Sequence, residues 1–297
     1  MDHLVLEIHH MSKSYGHIRA LNDFSLEVYK GDVVGILGPN GSGKTTILGI
    51  LLDILKPDAG EYLWFGKEPV SSSRKKIGAL LEQPLFYPYL SAVKNLKIVA
   101  DIKGVSHESI DKVLETVGLT DRKNSKYKTY SLGMKQRLAV AATLIGNPEV
   151  LILDEPTNGL DPKSIALIRN LIADVARKGV TVLLASHLLD EVQKICSHVA
   201  ILDKGVSLHA GRVEEVLNSA LRVEIKAEDM EGLYKEASEM AFISECRLEE
   251  DVLVLMLKED VEPAEINKSF ASRGIYLSYL SAGKRSLESY FLDLLKE

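Results

Sequence analysis

Hydrophobic and polar residues alternate in two different ways along this chain. Residues 4–9 and 18–29 alternate with the period of two that is typical of strands, whereas residues 33–38 and 150–153 are continuous apolar runs. Continuous runs of this length indicate strands that are buried on both faces, as in a parallel sheet. Helical periodicity separates these strands, first over residues 45–55. The pattern therefore predicts an α/β fold with a mostly parallel sheet.

Two further regions depart from this alternation. Helical periodicity dominates up to residue 146, which indicates a helical subdomain at about residues 85–146. Beyond residue 220, the predicted order is strand, helix, strand, strand, helix, strand and a final helix. That order suits a small ferredoxin-like α+β sandwich. We therefore predict one domain over residues 1–220 and a small accessory domain over residues 221–297.

Composition narrows the class of protein. The 297 residues are 46% hydrophobic and 26% charged, which is typical of a globular protein with an ample core. The net charge of -6 and the absence of a long basic arm argue against a nucleic-acid partner. No apolar run approaches the roughly 20 residues that cross a bilayer. Because Cys196 and Cys246 lie far apart without further ligands at metal spacing, we predict a reduced cytosolic protein that meets a membrane only through a partner.

A glycine-rich loop follows the first buried strand and leads into the first helix. Its residues are Gly38, Pro39, Asn40, Gly41, Ser42, Gly43, Lys44, Thr45 and Thr46. The glycines let successive backbone N–H groups point into one concave nest, and the helix N-terminus adds its positive end. Between a strand and a helix, this spacing predicts a phosphate-binding loop, in which Lys44 reaches the β- and γ-phosphates and Thr45 ligates Mg²⁺. We call residues 38–46 the phosphate loop.

A pair of carboxylates follows the second apolar run. Asp154 and Glu155 come directly after residues 150–153, at the end of a predicted central strand, where ligands bind in open α/β sheets. Ionised groups are costly at the end of a buried strand unless metal or water compensates them. We therefore predict that Asp154 holds the Mg²⁺ shell and that Glu155 polarises the attacking water as the general base.

A third motif, YSLGMKQR, occupies residues 130–137 and opens an amphipathic run. Judged on these residues alone, the favoured interpretation is a helix N-cap, in which Ser131 accepts hydrogen bonds from the first free amides. A phosphate-binding half-site is the alternative, because a helix N-terminus attracts anions. The eight residues by themselves do not decide between the two.

Taken in order, the three motifs resemble the nucleotide-binding subunit of an ATP-binding cassette (ABC) transporter, over about residues 3–220. The resemblance implies a P-loop NTPase cassette with an antiparallel β subdomain and a helical insertion. It implies ATP hydrolysis coupled to transport, with a second copy or a homologous ATPase subunit as the dimer partner. It also implies integral membrane permease subunits as partners, which would place the chain in the cytoplasm, peripheral at the inner face of the cell membrane. The SLGMKQRL form is similar to signatures of the bacitracin-export branch, which implies export.

Further site residues rest on this resemblance. It implies that Tyr15 stacks on adenine and that His187 contacts the γ-phosphate. Asp161 matches the acidic position of a loop that crosses to the opposite subunit. The YSLGM segment matches the family signature, in which Ser131 and Gly133 cover the γ-phosphate held by the phosphate loop of the partner subunit. In this interpretation the segment is both an N-cap and a half-site.

Two segments depart from the family pattern. In the signature, Leu132 replaces the first glycine of the common LSGGQ and Met134 replaces its glutamine. In the loop that follows residue 81, Glu82 occupies the usual glutamine position and Gln83 comes one residue later. The resemblance implies that this pair contacts the attacking water and that Glu82 adds a ligand to the metal shell. Residues 86–90 then form an apolar stretch that faces the membrane subunit in the family, with packing on its own core as the alternative.

Other classes of ABC protein leave alternatives open. A soluble ABC ATPase of the translation or iron–sulfur assembly type is the main one, although translation members carry two cassettes and one phosphate loop is present here. A DNA-repair ATPase would need a longer helical insertion for its coiled coil. A non-catalytic nucleotide sensor is disfavoured because Lys44, Asp154, Glu155 and His187 are all present.

Overall fold

The computed structural model describes residues 3–81, 86–218, 221–249, 251–258, 261–284 and 286–295. The chain divides into two compact units, Met1–Gly211 and Arg212–Glu297, each with its own buried hydrophobic cluster. The sequence prediction places the boundary at residue 220. Within the described ranges, none of the helices combines the length and the apolar character that a membrane span requires.

Strands and helices alternate along the first unit, as the hydrophobic pattern predicts. In chain order they are β1 (Leu4–Tyr15), β2 (Ile18–Tyr29), β3 (Val33–Leu37), α1 (Lys44–Leu51), β4 (Ala59–Trp64), α2 (Ser71–Arg74), β5 (Ile77–Leu80), α3 (Ala92–Lys103), α4 (Ile110–Thr116), α5 (Leu132–Leu144), β6 (Val150–Asp154), α6 (Pro162–Arg177), β7 (Thr181–Ser186), α7 (Leu189–Ile195), β8 (His198–Asp203) and β9 (Val206–Arg212). The predicted helical insertion corresponds to α3, α4 and α5, which pack against one another.

The central sheet has the strand order β5-β6-β7-β3-β8-β9. Neighbouring strands from β5 to β8 are parallel, with Val33 beside Val182 and Gly35 beside Val199. Every residue of β3, β6 and β7 is buried, as expected for parallel strands covered on both faces. The mostly parallel sheet is therefore confirmed. Its topology places the carboxyl ends of β3, β6 and β7 along one edge, where the predicted site residues follow.

A second sheet is antiparallel, with the order β2-β1-β4, and confirms the predicted β subdomain. Its side chains share one hydrophobic cluster with those of the central sheet and α1. Trp64 at the end of β4 is fully buried, and its indole N–H donates to the carbonyl oxygen of Leu51 at 3.1 Å. The sequence analysis missed β4, because the strand begins with Ala59 and Gly60, which are ordinary turn residues there.

Helix α1 is shorter than its hydrophobic pattern predicts. The prediction extends to residue 55, whereas the helix ends at Leu51. Asp53 adopts a left-handed φ of 60°, and the amides of Ile54 and Leu55 turn back to the carbonyl oxygen of Gly49. These bonds satisfy the last turn of the helix, so the apolar residues beyond it pack as a loop.

The second unit is a small α+β sandwich. Its elements are α8 (Val213–Asn218), β10 (Leu221–Ala227), α9 (Met230–Ser238), β11 (Ile243–Glu249), β12 (Val252–Leu257), α10 (Pro263–Ala271), β13 (Leu277–Lys284) and α11 (Leu287–Leu294). The strands form an antiparallel sheet in the order β11-β12-β10-β13, and α9 and α10 pack on one face of it. The two strands that flank α9 are thus separated by β12, as in a split βαβ arrangement.

Candidate active site

The phosphate loop connects the end of β3 to the start of α1. Its Lys44 is buried, and the ammonium donates to the carbonyl oxygens of Gly38 at 2.8 Å and Pro39 at 3.1 Å. Burial lowers the pKa of Lys44, while the carboxylates of Glu155 and Asp154 act in the opposite direction. The lysine is therefore a desolvated cation held by backbone oxygens, and this environment favours an anionic ligand.

The loop opens into a cavity of about 580 Å³, within the range of roughly 300–1,000 Å³ that is usual for small-molecule sites. The cavity is lined by Tyr15, Ile18, Ala20, Asn40, Gly41, Gly43, Lys44, Thr45, Thr46, Leu132, Gln136, Asp154, Glu155 and Asn158. Within the loop, the Ser42 hydroxyl is buried and has no hydrogen-bond partner among the described residues. Buried hydroxyls are normally hydrogen-bonded, but Ser42 is not among the residues that line the cavity, so the buried ammonium of Lys44 is the group that fits an anionic ligand there. The residues that line the cavity thus fit a nucleoside triphosphate.

Thr45 and Asp154 meet at the edge of this cavity. The Thr45 hydroxyl donates to Oδ2 of Asp154 at 3.0 Å, and Asp154 is buried. These two oxygen ligands fit Mg²⁺, which is usually held by one or two protein groups together with phosphate oxygens and water. In the described part of the chain, no group of three or more His, Cys, Asp or Glu side chains forms a denser metal site.

Glu155 lies between Lys44 and His187. Its Oε2 is 2.8 Å from Nδ1 of His187, and its Oε1 is 3.9 Å from the Lys44 ammonium. The backbone of Glu155 has a left-handed φ of 45°, and its amide donates to the carbonyl oxygen of Ala185 at 2.9 Å. A non-glycine residue in such a conformation costs on the order of 1–3 kcal/mol and is usually found where function requires it. The strained turn directs the carboxylate into the cavity.

Tyr15 lies at the end of β1, where it pairs with Ile18 across the turn to β2. Its ring is 45% exposed, and the ammonium of Lys13 lies 5.8 Å from the ring centroid. Because Tyr15, Ile18 and Ala20 border the cavity, this hairpin end offers an aromatic face to a planar group. We call residues 15–18 the base platform.

Residues 131–134, which we call the signature turn, begin α5. The Ser131 hydroxyl accepts a hydrogen bond from the Met134 amide at 3.3 Å, so the N-cap interpretation is confirmed. Gly133 is buried, and a side chain at this position would begin 2.5 Å from the hydroxyl oxygen of Ser164 in α6. Glycine at position 133 therefore leaves room for the Ser164 side chain where α5 approaches α6.

Asp161 is the N-cap of α6. Its carboxylate accepts from the Ser164 amide at 3.0 Å and from the Ser164 hydroxyl at 2.8 Å, and these bonds lower the pKa of Asp161. Asp161 is not among the described residues that line the cavity. Within one chain it positions Ser164 behind Gly133, and its predicted contact with the opposite subunit remains a prediction.

The structure brings most of the predicted residues together. The base platform, the phosphate loop and the carboxylate pair share one cavity, and His187 contacts Glu155 beside it. The predicted roles of Glu82 and Gln83 fall on residues outside the described ranges.

Sequence reasoning missed several residues of this site. Ile18, Ala20 and Gln136 line the cavity, and Ser164 fills the space beside Gly133. Asn158, which also lines the cavity, belongs to the loop that matches the family's crossing loop. Gln136 could have been found, because it lies four residues after Leu132 and therefore on the same face of α5. Nothing in the local sequence identifies Ser164, because its contact joins two helices that are separated by β6.

Comparisons with known proteins agree with this geometry. The family model described as ABC transporter matches residues 21–158. The bacitracin transport ATP-binding protein BcrA of Bacillus licheniformis is 34% identical over 96% of this chain and 95% of its own length. BcrA of Enterococcus faecalis is 33% identical over 98% of this chain and 96% of its own length.

Solved structures show the same fold over the first unit. The structure of cbiO1 from Clostridium perfringens, part of the ABC transporter complex cbiONQ, has a TM-score of 0.66 and 28% identity, over 73% of this chain and 92% of its own. The ATP-binding cassette MJ0796, in a dimeric post-hydrolysis state bound to ADP and Pi, has a TM-score of 0.62 and 27% identity, over 70% of this chain and 98% of its own.

Fold and site together define an ATP-binding cassette of the P-loop class. Since the identity to BcrA extends over nearly the whole length of both proteins, the chain belongs to the ABC transporter family as one of its ATP-binding proteins. It is the ATPase subunit of a transporter, and it uses ATP with Mg²⁺. The resemblance drawn from the three sequence motifs is confirmed.

Proposed function

We propose that this chain hydrolyses ATP as one of two cassettes that close around two nucleotides, and that it drives export through separate membrane subunits. The observation that carries the proposal is the meeting of Lys44, Glu155 and His187 beside the Thr45–Asp154 pair. The names of similar proteins support the transport role, since they include bacitracin and lantibiotic transport ATP-binding proteins.

In the proposed reaction, each residue of the first half-site has a separate task. Lys44 and the amides of the phosphate loop hold the β- and γ-phosphates. Thr45 and Asp154 would hold Mg²⁺, which neutralises phosphate charge when bound. Glu155 accepts a proton from the attacking water, and His187 fixes the orientation of Glu155 and contacts the γ-phosphate. Tyr15 stacks on adenine from the base platform.

The second half-site is proposed to act on the nucleotide of the other cassette. Ser131 and Gly133 lie at the N-terminus of α5, where free amides and the positive end of the helix dipole attract a γ-phosphate. Leu132 between them is 49% exposed and so presents an apolar side chain at this surface. The partner would be a second copy of the chain or a homologous ATPase subunit, approached also by the segment that contains Asp161.

Residues 86–90 are proposed to contact the membrane subunits. Tyr87 and Tyr89 are 48% and 62% exposed, and their ring centroids lie 5.8 Å apart. The buried Asn95 fixes this segment, because its side chain accepts from the Tyr87 amide at 2.8 Å and donates to the Tyr87 carbonyl oxygen at 3.2 Å. Exposed aromatic rings on a fixed backbone are typical of protein interfaces. Such a contact would hold the chain peripherally at the inner face of the cell membrane.

The first test is the mass in solution of the Glu155→Gln variant with and without MgATP. Removing the proposed base should slow hydrolysis and trap the closed state, so we expect one chain without nucleotide and two chains with MgATP. Glu149→Gln is a matched control, because Glu149 is an exposed carboxylate at the other end of β6 that pairs with Lys76 at 2.8 Å. The control should hydrolyse ATP normally and should not accumulate as a dimer.

Two results would count against the proposal. If Glu155→Gln remains a single chain in MgATP, two copies of this protein do not complete the site, which contradicts a homodimer and leaves a homologous ATPase subunit as the partner. If Glu155→Gln turns over ATP at the wild-type rate, Glu155 is not the general base.

A further inference from the structure

The turn between β8 and β9 contacts the phosphate loop through the main chain. The amide of Gly205 donates to the carbonyl oxygen of Ser42 at 3.0 Å. The carbonyl oxygen of Gly205 accepts from the amide of Asn22 in β2 at 2.7 Å. One residue therefore bridges the phosphate loop and strand β2 of the antiparallel sheet, both of which are far from Gly205 in sequence.

Three backbone segments pack against one another at this bridge without intervening side chains. They are the turn between β8 and β9, the start of β2 and the phosphate loop. A Cβ atom on Gly205 would lie 2.9 Å from the carbonyl group of Ala20 and equally close to the carbonyl oxygen of Arg19. A Cβ atom on Gly43 would lie 2.4 Å from the oxygen of Ala20 and 3.8 Å from the Cα of Gly205. The Ala20 carbonyl is thus enclosed between two glycines, and Gly205 also needs glycine for its φ of +82°.

The bridge connects the two parts of the cavity that a nucleotide must reach at once. Ala20 lies two residues after the base platform, and both line the cavity. Ser42 belongs to the loop that carries Lys44 and Thr45. A fixed separation between the two parts would let ATP bind both without reorganising the protein.

We propose that Gly205 is a positioning residue, which sets the distance between the base platform and the phosphate loop. The inference rests on the proposed role of Tyr15 as the surface that stacks on adenine. A side chain at position 205 would displace Ala20, and with it the base platform, whereas the bonds of the Lys44 ammonium to Gly38 and Pro39 within the phosphate loop do not involve Gly205. The affinity for ATP should then lose the contribution of adenine stacking. The affinity for a triphosphate that has no adenine should not change.

The test compares Gly205→Ala with Gly179→Ala in the full chain. Gly179 has a similar φ of +87°, but nothing lies within 4 Å of its Cβ position, so this control introduces the same backbone strain without the clash. Affinities for MgATP and for magnesium tripolyphosphate are measured by calorimetry, with the unfolding temperature of each variant. We expect Gly205→Ala to lower the affinity for MgATP about tenfold or more and to change the affinity for magnesium tripolyphosphate by less than about twofold. Gly179→Ala should leave both affinities unchanged.

Two outcomes would overturn the proposal. Equal losses for ATP and tripolyphosphate in Gly205→Ala would show that the bridge only supports the phosphate loop. Unchanged affinities for both would show that the bridge does not set the spacing. If Gly205→Ala does not fold, Asn22→Pro tests the same bridge, because it removes the amide that donates to Gly205 on the edge strand β2. The same selective loss of ATP affinity is expected there, and its absence contradicts the proposal.

Tyr15→Ala separates failure of this inference from failure of the proposed function. An unchanged ATP affinity in Tyr15→Ala would contradict the base platform itself. A loss in Tyr15→Ala, with no loss in Gly205→Ala, would contradict only the role of Gly205.

Discussion

The phosphate loop and the signature turn are both helix N-termini, yet they differ in what one chain supplies around them. At the start of α1, the chain provides a buried cation, the proposed metal ligands and the proposed base, since Lys44 and Thr45 meet Glu155 and Asp154. At the start of α5, Ser131 bonds to the amide of its own helix at 3.3 Å. The difference agrees with the proposal that the first region carries the chemistry of hydrolysis, whereas the second offers backbone amides and a helix dipole to a ligand.

The signature turn is nevertheless positioned from both ends of α5. At its N-terminal end, Gly133 packs against Ser164, which Asp161 holds in place. At the C-terminal end, the Lys103 ammonium donates to the carbonyl oxygens of Ala142 at 3.2 Å and Ile145 at 2.8 Å. Burial lowers the pKa of Lys103, so a poorly solvated cation sits at the negative end of the helix dipole. Rigid placement is what a half-site needs if its ligand comes from another subunit.

The largest expected effect comes from the region that carries the chemistry. Replacing Lys44 with Met removes the buried cation of the phosphate loop, and we expect the ATPase rate to fall by about 100-fold or more. Steady-state phosphate release measures this, with Lys178→Met as a control, since Lys178 is exposed beyond the end of α6. Retention of most of the activity in Lys44→Met would remove the distinction between the two regions.

A second prediction separates packing from chemistry at the signature turn. In Gly133→Ala, the new methyl group would lie 2.5 Å from the Ser164 hydroxyl oxygen, so the start of α5 must move. Such overpacking costs about 1–3 kcal/mol. In the Glu155→Gln background, we expect the MgATP-dependent dimer to weaken by at least about tenfold, while the single chain still binds MgATP. Mass in solution and nucleotide calorimetry measure the two effects.

Removing the obstructing residue is the control for this variant. Adding Ser164→Gly to Gly133→Ala takes away the hydroxyl and its carbon, so the dimer should recover in part. A dimer that Gly133→Ala leaves intact would show that the exact placement of α5 is not required.

The smallest effect distinguishes the two roles of Ser131. Ser131 caps α5, and Ser91 caps α3 in the same way, by accepting from the Lys94 amide at 3.4 Å. Ser131→Ala and Ser91→Ala should each lower the free energy of unfolding by about 1 kcal/mol, as the loss of an N-cap usually does. Only Ser131→Ala should also weaken the MgATP-dependent dimer, because only Ser131 belongs to the proposed half-site. If the two variants dimerise equally well in MgATP, Ser131 acts only as the N-cap of α5 and not in the half-site.

Local order explains why the first region was predictable from the sequence. The phosphate loop needs an apolar strand, a run of glycines and a helix in direct succession, and all three are contiguous in residues 33–51. Asp154 and Glu155 were predictable for the same reason, since they follow β6 without a gap. The weakly patterned strand β4 was missed, because its pairing with the distant strand β1, rather than its own residues, makes it a strand.

The sequence by itself determined the parallel sheet, the phosphate loop, the carboxylate pair and the cap at Ser131, because each depends on neighbouring residues and their hydrophobic period. Only the tertiary structure decided that Glu155 turns towards His187, that Gly133 packs on Ser164, and that Gly205 joins the phosphate loop to β2. These contacts join segments that are far apart along the chain, and the last two depend on glycines that let another segment approach the backbone closely. Such contacts leave no periodic pattern in a sequence, so they become visible only when the chain is folded.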